Sequence, residues 1–147
     1  MIASDTKTVL NPPYGGTLVD LLVPEDERDA LRDYAAELPS IRLSERSVCD
    51  LELLAVGGFS PLDRFMSQAD HQGVLDNMRL ANGYLFPMPI PLPVDEDAAE
   101  GLVIGEDVAL RSPQNEILGV MKLEELYEWD LDEVAVKVFG KNDLRHP

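Results

Sequence analysis

Phe86 to Asp95 reads FPMPIPLPVD, with Pro87, Pro89, Pro91 and Pro93 alternating with Met88, Ile90, Leu92 and Val94. No other stretch restricts the fold as much, because φ is fixed and the amide donor removed at every second residue. Each residue ahead of a proline is also pushed toward extended backbone. A polyproline II ligand repeats every three residues and shows P-x-x-P, a pattern absent from all 147 residues. A β-strand repeats every two, which would put the prolines on one face and the apolar residues on the other. The period predicts a strand over residues 85–94. Since the missing donors all fall on one edge, it should be an edge strand. The pre-extended backbone should stabilise the fold by ~0.4–1 kcal/mol per compatible proline, acting through the unfolded state.

A chain of this length fits one domain and buries about 68–70% of its extended-chain surface. Its 45% hydrophobic and 27% charged residues suit a soluble globule. The net charge of −16 is spread along the chain, with 13 acids against 6 bases in residues 1–73 and 15 against 6 in residues 74–147. Such a surface repels nucleic acid and anionic membranes and slows small anions. Cys49 is the only cysteine; it rules out an internal disulfide, fits a reducing cytoplasm, and is expected to be a small packed helix residue. The N-terminus lacks an apolar signal core and no uncharged run is long enough to span a bilayer without prolines, so a cytoplasmic protein is expected.

Residues 1–23 read as an N-terminal arm with a Pro-Pro-Tyr-Gly-Gly turn, leaving 24–147 as the folded domain. PEDERDALRDYAAELP places Leu31, Tyr34, Ala35 and Leu38 on one helical face, with Glu25, Asp26 and Glu27 at its positive end and Pro39 as stop. A second helix should start at the N-cap Ser44 and end at Gly57. Gly58 then leads through Phe59, Ser60, Pro61 and Leu62 in a tight turn. Ser67 with Asp70 forms a capping box for a third helix with His71, Val74, Leu75 and Met78 inward. Beyond it strands are expected at 85–94, 107–111, 116–121 and 134–139, with S-P-Q-N as a hairpin turn and KLEELY as a short helix. Helices first and short strands later give an α+β class with a small barrel or bent sheet.

Catalytic signatures are scarce. The only histidines are His71 and His146, and His71 on an apolar face is better read as packed than as a general base. H-E-x-x-H, C-x-x-C, P-loop and G-x-G-x-x-G patterns are all missing. Glu124–Glu125 and Asp130/Asp132 could hold a hard cation or act as acid and base. Among 28 acids such pairs arise by chance, and a solvated acidic face explains them.

Arg42 to Met66, RLSERSVCDLELLAVGGFSPLDRFM, resembles the N-terminal domain of ATP sulfurylase (sulfate adenylyltransferase). The resemblance continues through MRLANG at 78–83, PMPIPLPV, GEDVALRSPQNEILGVMKLEELY and VAVKVFGKNDLRHP, so it covers about residues 11–147. It implies a PUA-like β-barrel with N-terminal helices. The family joins ATP and sulfate into adenosine 5′-phosphosulfate and pyrophosphate with Mg²⁺ assisting, chemistry in which donors and cations must neutralise gathering negative charge. Its catalytic groups lie in a following domain, in Gln-x-Arg-Asn and His-x-x-His stretches, and neither occurs here. No catalytic, cofactor-binding or metal-binding residue is therefore carried over; ATP and Mg²⁺ are implied for the catalytic domain of a parent enzyme, in which relatives continue past His146–Pro147. The partners so implied are that catalytic domain and a homo-oligomer, with no nucleic acid and no membrane. Gly57, Gly58, Phe59, Ser60, Pro61 and Leu62 are the candidates for a structural corner or an interface. The family usually has Thr and Asp at the positions of Pro91 and Pro93, and often an aromatic at that of His71, in keeping with packing there. The alternatives are a stand-alone PUA-like module binding RNA or a protein, against which the charge of −16 argues, and, ranked lowest, a complete enzyme built from scattered carboxylates.

Overall fold

The helices begin where their caps lie. In a computed structural model, which describes residues 10–143, a 3₁₀ turn at Glu25–Glu27 leads into α1 (Arg28–Ala36). Leu31, Ala35 and Leu38 turn inward as the spacing predicts, while Tyr34 stays exposed and donates its hydroxyl to Asp107. Ser44 opens α2 (Glu45–Ala55) by accepting the Ser47 N–H at 3.1 Å. Its end is a Schellman closure, with Gly57 N–H on Leu54 O and Gly58 N–H on Leu53 O, and Gly57 in the left-handed region at φ 77°. Ser67 opens α3 (Gln68–Asn77), accepting the Asp70 N–H while its own hydroxyl donates to the Asp70 carboxylate.

Asp107–Arg111 and Ile117–Lys122 form β2 and β3, an antiparallel pair. The Ser112–Asn115 turn between them closes with Asn115 N–H on Ser112 O. β1 (Ser40–Arg42) adds in parallel on the other side of β2, with Ile41 beside Leu110, giving the order β1-β2-β3. Val108, Ala109 and Leu110 are all buried, as a central strand covered on both faces requires. α1 packs on β2 and β3. The class is α+β, as expected from the sequence. Two apolar clusters make the core. One gathers Leu54, Leu62, Met66, Val74, Leu80, Phe86 and Ile90. The other joins the sheet's Ile41, Leu43, Val108, Leu110 and Leu123 to Leu92 and Val94, and Phe65 touches both.

Several expectations need correction. Residues 85–94 form no ladder and bend at Met88; an isolated bridge pairs Leu85 with Arg79, and Met66 N–H donates to Ile90 O at 2.9 Å. The expected two-face alternation does not hold: Pro89 is buried and Met88 exposed, and Pro91 is half-buried and lines the same groove as Leu92 and Val94. Residues 134–139 are helical within α5 (Leu131–Phe139), because the Asp130 side chain caps the Asp132 N–H at 2.8 Å and Gly140 ends the turn at φ 77°. KLEELY forms no helix: Lys122 ends β3 and residues 123–127 carry no regular element, while a single unpredicted turn, α4, forms elsewhere at Glu96–Ala99. Met78 is exposed rather than inward, since its own left-handed backbone (φ 54°) ends α3 and carries the side chain off the buried face. Cys49 is exposed on α2, not packed. His146 lies outside the described residues, as do residues 1–9 of the expected arm.

Candidate functional site

Gly57 to Leu62 joins α2 to the loop before α3, and the chain's own arm lies across it. A Cβ on Gly57 would sit 2.3 Å from Val19 O and 2.8 Å from a Leu18 methyl, so the arm crosses at backbone contact distance. Ser60 accepts the Val19 N–H at 2.9 Å and donates to Gly57 O at 2.8 Å. Leu21 N–H reaches Ala55 O, and Pro61 lies against Gly15. Gly58 is packed against Leu53. Phe59 meets Phe86 edge to face at 6.1 Å and Leu62 is buried in the first cluster. All six candidate residues therefore belong to one corner. What the sequence did not reveal is its second strand of chain: Leu18 to Leu21 supplies that partner, while the preceding Pro-Pro-Tyr-Gly-Gly turn sets Tyr14 beside Tyr84, its hydroxyl accepting the Leu85 N–H.

The loop leaving the corner carries Arg64, Phe65 and Met66 to the edge of an open groove of about 460 Å³. Its other wall is the extended Leu123–Trp129 strip. That strip is held by three contacts that override its helical composition. Tyr127 hydroxyl donates to Met66 O at 2.9 Å, Glu125 accepts the Gln68 N–H at 2.6 Å, and Glu124 pairs with Arg64 at 2.7 Å. Burial pushes the Tyr127 phenol up to about 12. Arg64 also pairs with Asp63, which lowers the carboxyl pKa and raises that of the guanidinium.

His71 sits behind the strip, 3% exposed, between the rings of Tyr127 and Trp129. Burial pushes its pKa down, so the neutral imidazole is favoured. Its Nε2 is buried with no hydrogen-bond partner among the described residues. This is a packed ring. The carboxylates of the acidic pairs have other partners: Glu124 and Glu125 bind Arg64 and the Gln68 N–H, while Asp130 caps α5 and Asp132 accepts from Asn142. Among the described residues, no three His, Cys, Asp or Glu side chains converge as metal ligands, and no helix is long and apolar enough to cross a membrane. The arrangement can position an arm and offer a groove.

Residues 11–147 match the family model described as a PUA-like domain. The chain is 50% identical over 141 residues to a sulfate adenylyltransferase of Mycosarcoma maydis, covering 93% of this chain and 25% of that protein. It is 40% identical over 136 residues to one of Synechococcus sp. (strain JA-3-3Ab), covering 92% and 35%. Among solved structures it resembles the hexameric APS kinase from Thiobacillus denitrificans, with a TM-score of 0.73 and 36% identity over 81% of this chain and 24% of that one. The chain thus spans a quarter to about a third of the length of these relatives.

Proposed function

The chain belongs to the PUA-like domain family, and from that premise we propose that it is the non-catalytic N-terminal domain of a sulfate adenylyltransferase, docking against the catalytic portion of the enzyme. The observation that carries this is identity of 40–50% along almost the whole chain to only 25–35% of proteins bearing that name. The side chains accord with it. Joining ATP to sulfate brings two anions together, which needs converging donors and cations. Arg64, the cation lining the groove, is already committed to Asp63 and Glu124. ATP and Mg²⁺ are assigned to the catalytic portion, as the family resemblance implies. Within the cytoplasm, this domain would brace that portion and, through it, a homo-oligomer, with the Gly57–Leu62 corner fixing the arm.

The test is pyrophosphate release from ATP and sulfate. This chain alone should give none above background, while a protein carrying it together with the catalytic portion should turn over. Sulfate-dependent turnover by residues 1–147 alone would refute the proposal.

A further inference from the structure

Among the described residues, neither the arm nor the corner lines the groove between the Pro91–Val94 segment and the Leu123–Trp129 strip. Its floor is apolar, built from Phe65, Leu92, Val94, Met121 and Leu123. Its rim is acidic, with Glu96 and Glu100 at one side and Glu124, Glu125 and Glu128 at the other. Glu124 and Glu125 already hold Arg64 and the Gln68 N–H. Among the described residues no cation lies within ion-pair reach of Glu96, Glu100 or Glu128. The proline wall adds to the imbalance. Pro91 has no N–H to offer, and Ile90 spends its own N–H and C=O on Met66. The rim is therefore rich in carboxylate acceptors that lack a cationic partner among the described residues.

We infer that this groove docks a short cationic amphipathic segment of a protein partner, one that sets large apolar side chains on the floor and arginine or lysine against Glu96, Glu100 and Glu128. Charge complementarity selects the occupant. A second copy of this chain would bring its own charge of −16 to an acidic rim, and an anionic polymer or lipid surface would be repelled in the same way. A cationic segment supplies the missing donors, and its apolar residues gain most from a floor already shaped as a half-open cavity of ligand size. The inference rests on the docking role proposed above for its biological setting.

Trp129 lines the groove and is the only tryptophan in the chain, so its fluorescence reports occupancy. The probe is a capped peptide of arginine, leucine, phenylalanine and arginine residues, compared with one carrying citrulline for arginine and one carrying alanine for the apolar pair. Saturable binding should weaken about tenfold or more in either comparison peptide, because both floor and rim contribute. Glu96→Gln with Glu100→Gln should weaken the parent peptide by about threefold or more and flatten its salt dependence. The control Asp29→Asn with Asp33→Asn removes as much charge from exposed positions of α1, outside the groove, and should leave the affinity unchanged. Absence of saturable binding, or equal weakening by the control pair, would overturn the inference. So would sedimentation showing that the groove pair alters self-association instead, which would assign the groove to a second copy. Because the probe is a peptide, a null result here leaves the pyrophosphate assay to judge the sulfurylase reading separately.

Discussion

Gly57→Ala tests whether the corner is a clamp on the arm. Two costs apply, and a second glycine separates them. The left-handed backbone penalises a side chain by about 1–2 kcal/mol, partly offset by about 0.4–1 kcal/mol from a stiffer unfolded chain. Gly16 has φ 88° with nothing within 4 Å of a built Cβ, so Gly16→Ala isolates this net term, of about 1 kcal/mol or less. At Gly57 the Cβ also falls 2.3 Å from Val19 O, against 3.4 Å for ordinary contact. The arm must retreat by about an ångström, which forfeits the Val19 N–H to Ser60 bond and strains that from Leu21 to Ala55. Each such bond contributes about 0.5–1.5 kcal/mol. Gly57→Ala should therefore destabilise by about 1–4 kcal/mol in urea unfolding, read as a lower midpoint at unchanged slope. Proteolysis of the arm should accelerate in parallel. If Gly57→Ala and Gly16→Ala agree within about 0.5 kcal/mol, the arm does not rest on the corner and the reasoning fails.

Ser60→Ala removes the acceptor for Val19 N–H and the donor to Gly57 O, and urea unfolding should show a loss of about 1–2 kcal/mol. Leu54→Ala opens a hole at a side chain only 1% exposed, so the loss should be about 2–5 kcal/mol by the same measurement. Burial holds the His71 pKa below its ordinary 6.5, so as pH falls the unfolded chain takes up this proton first. The stability due to a neutral His71 is therefore intact above about 6.5 and declines as pH drops toward the folded pKa. His71→Phe should flatten that decline in urea midpoints measured across the range. Lys137 ties α5 to Asp76 of α3; Lys137→Gln should speed hydrogen exchange along α5, and the difference should shrink at high salt.

Local signals were legible where a single residue decides the backbone. Ser44, Ser67 and Gly57 marked helix ends because each satisfies groups at its own terminus, whatever packs around it. The β2–β3 hairpin was legible through its turn. β1 was not, being three residues whose only ladder is a parallel pairing with residues 109–111, a contact no local window contains. VAVKVF misled because β-branched residues favour strands, yet Asp130 and Gly140 stand at helix-cap spacing and could have corrected the reading. KLEELY misled in the other direction: three long-range contacts stretch it along the groove. The contact between the Gly57–Leu62 turn and the arm was not legible, since Ser60 and Val19 lie 41 positions apart.

The alternating prolines connect these outcomes. An extended segment usually enters a fold through ladder hydrogen bonds, and this one has lost half its donors, so its place must come from side chains. Ile90 goes to the first cluster, whereas Leu92 and Val94 go to the second. One short run of fixed φ thereby spans both cores where a strand would have joined the sheet. A ladder with the Leu123–Trp129 strip would have drawn the two walls to about 4.8 Å and closed the space between them. Without it the walls stand apart across a groove of about 460 Å³. On this account restoring donors at Pro91 and Pro93, with Thr and Asp, need not create a strand, because the spacing is set by the buried Ile90 and by Tyr127 on Met66. The double variant should keep the Trp129 emission of the parent chain. A shift to the spectrum of a fully buried indole would mean that the groove had closed and that missing donors, not side-chain placement, had held it open.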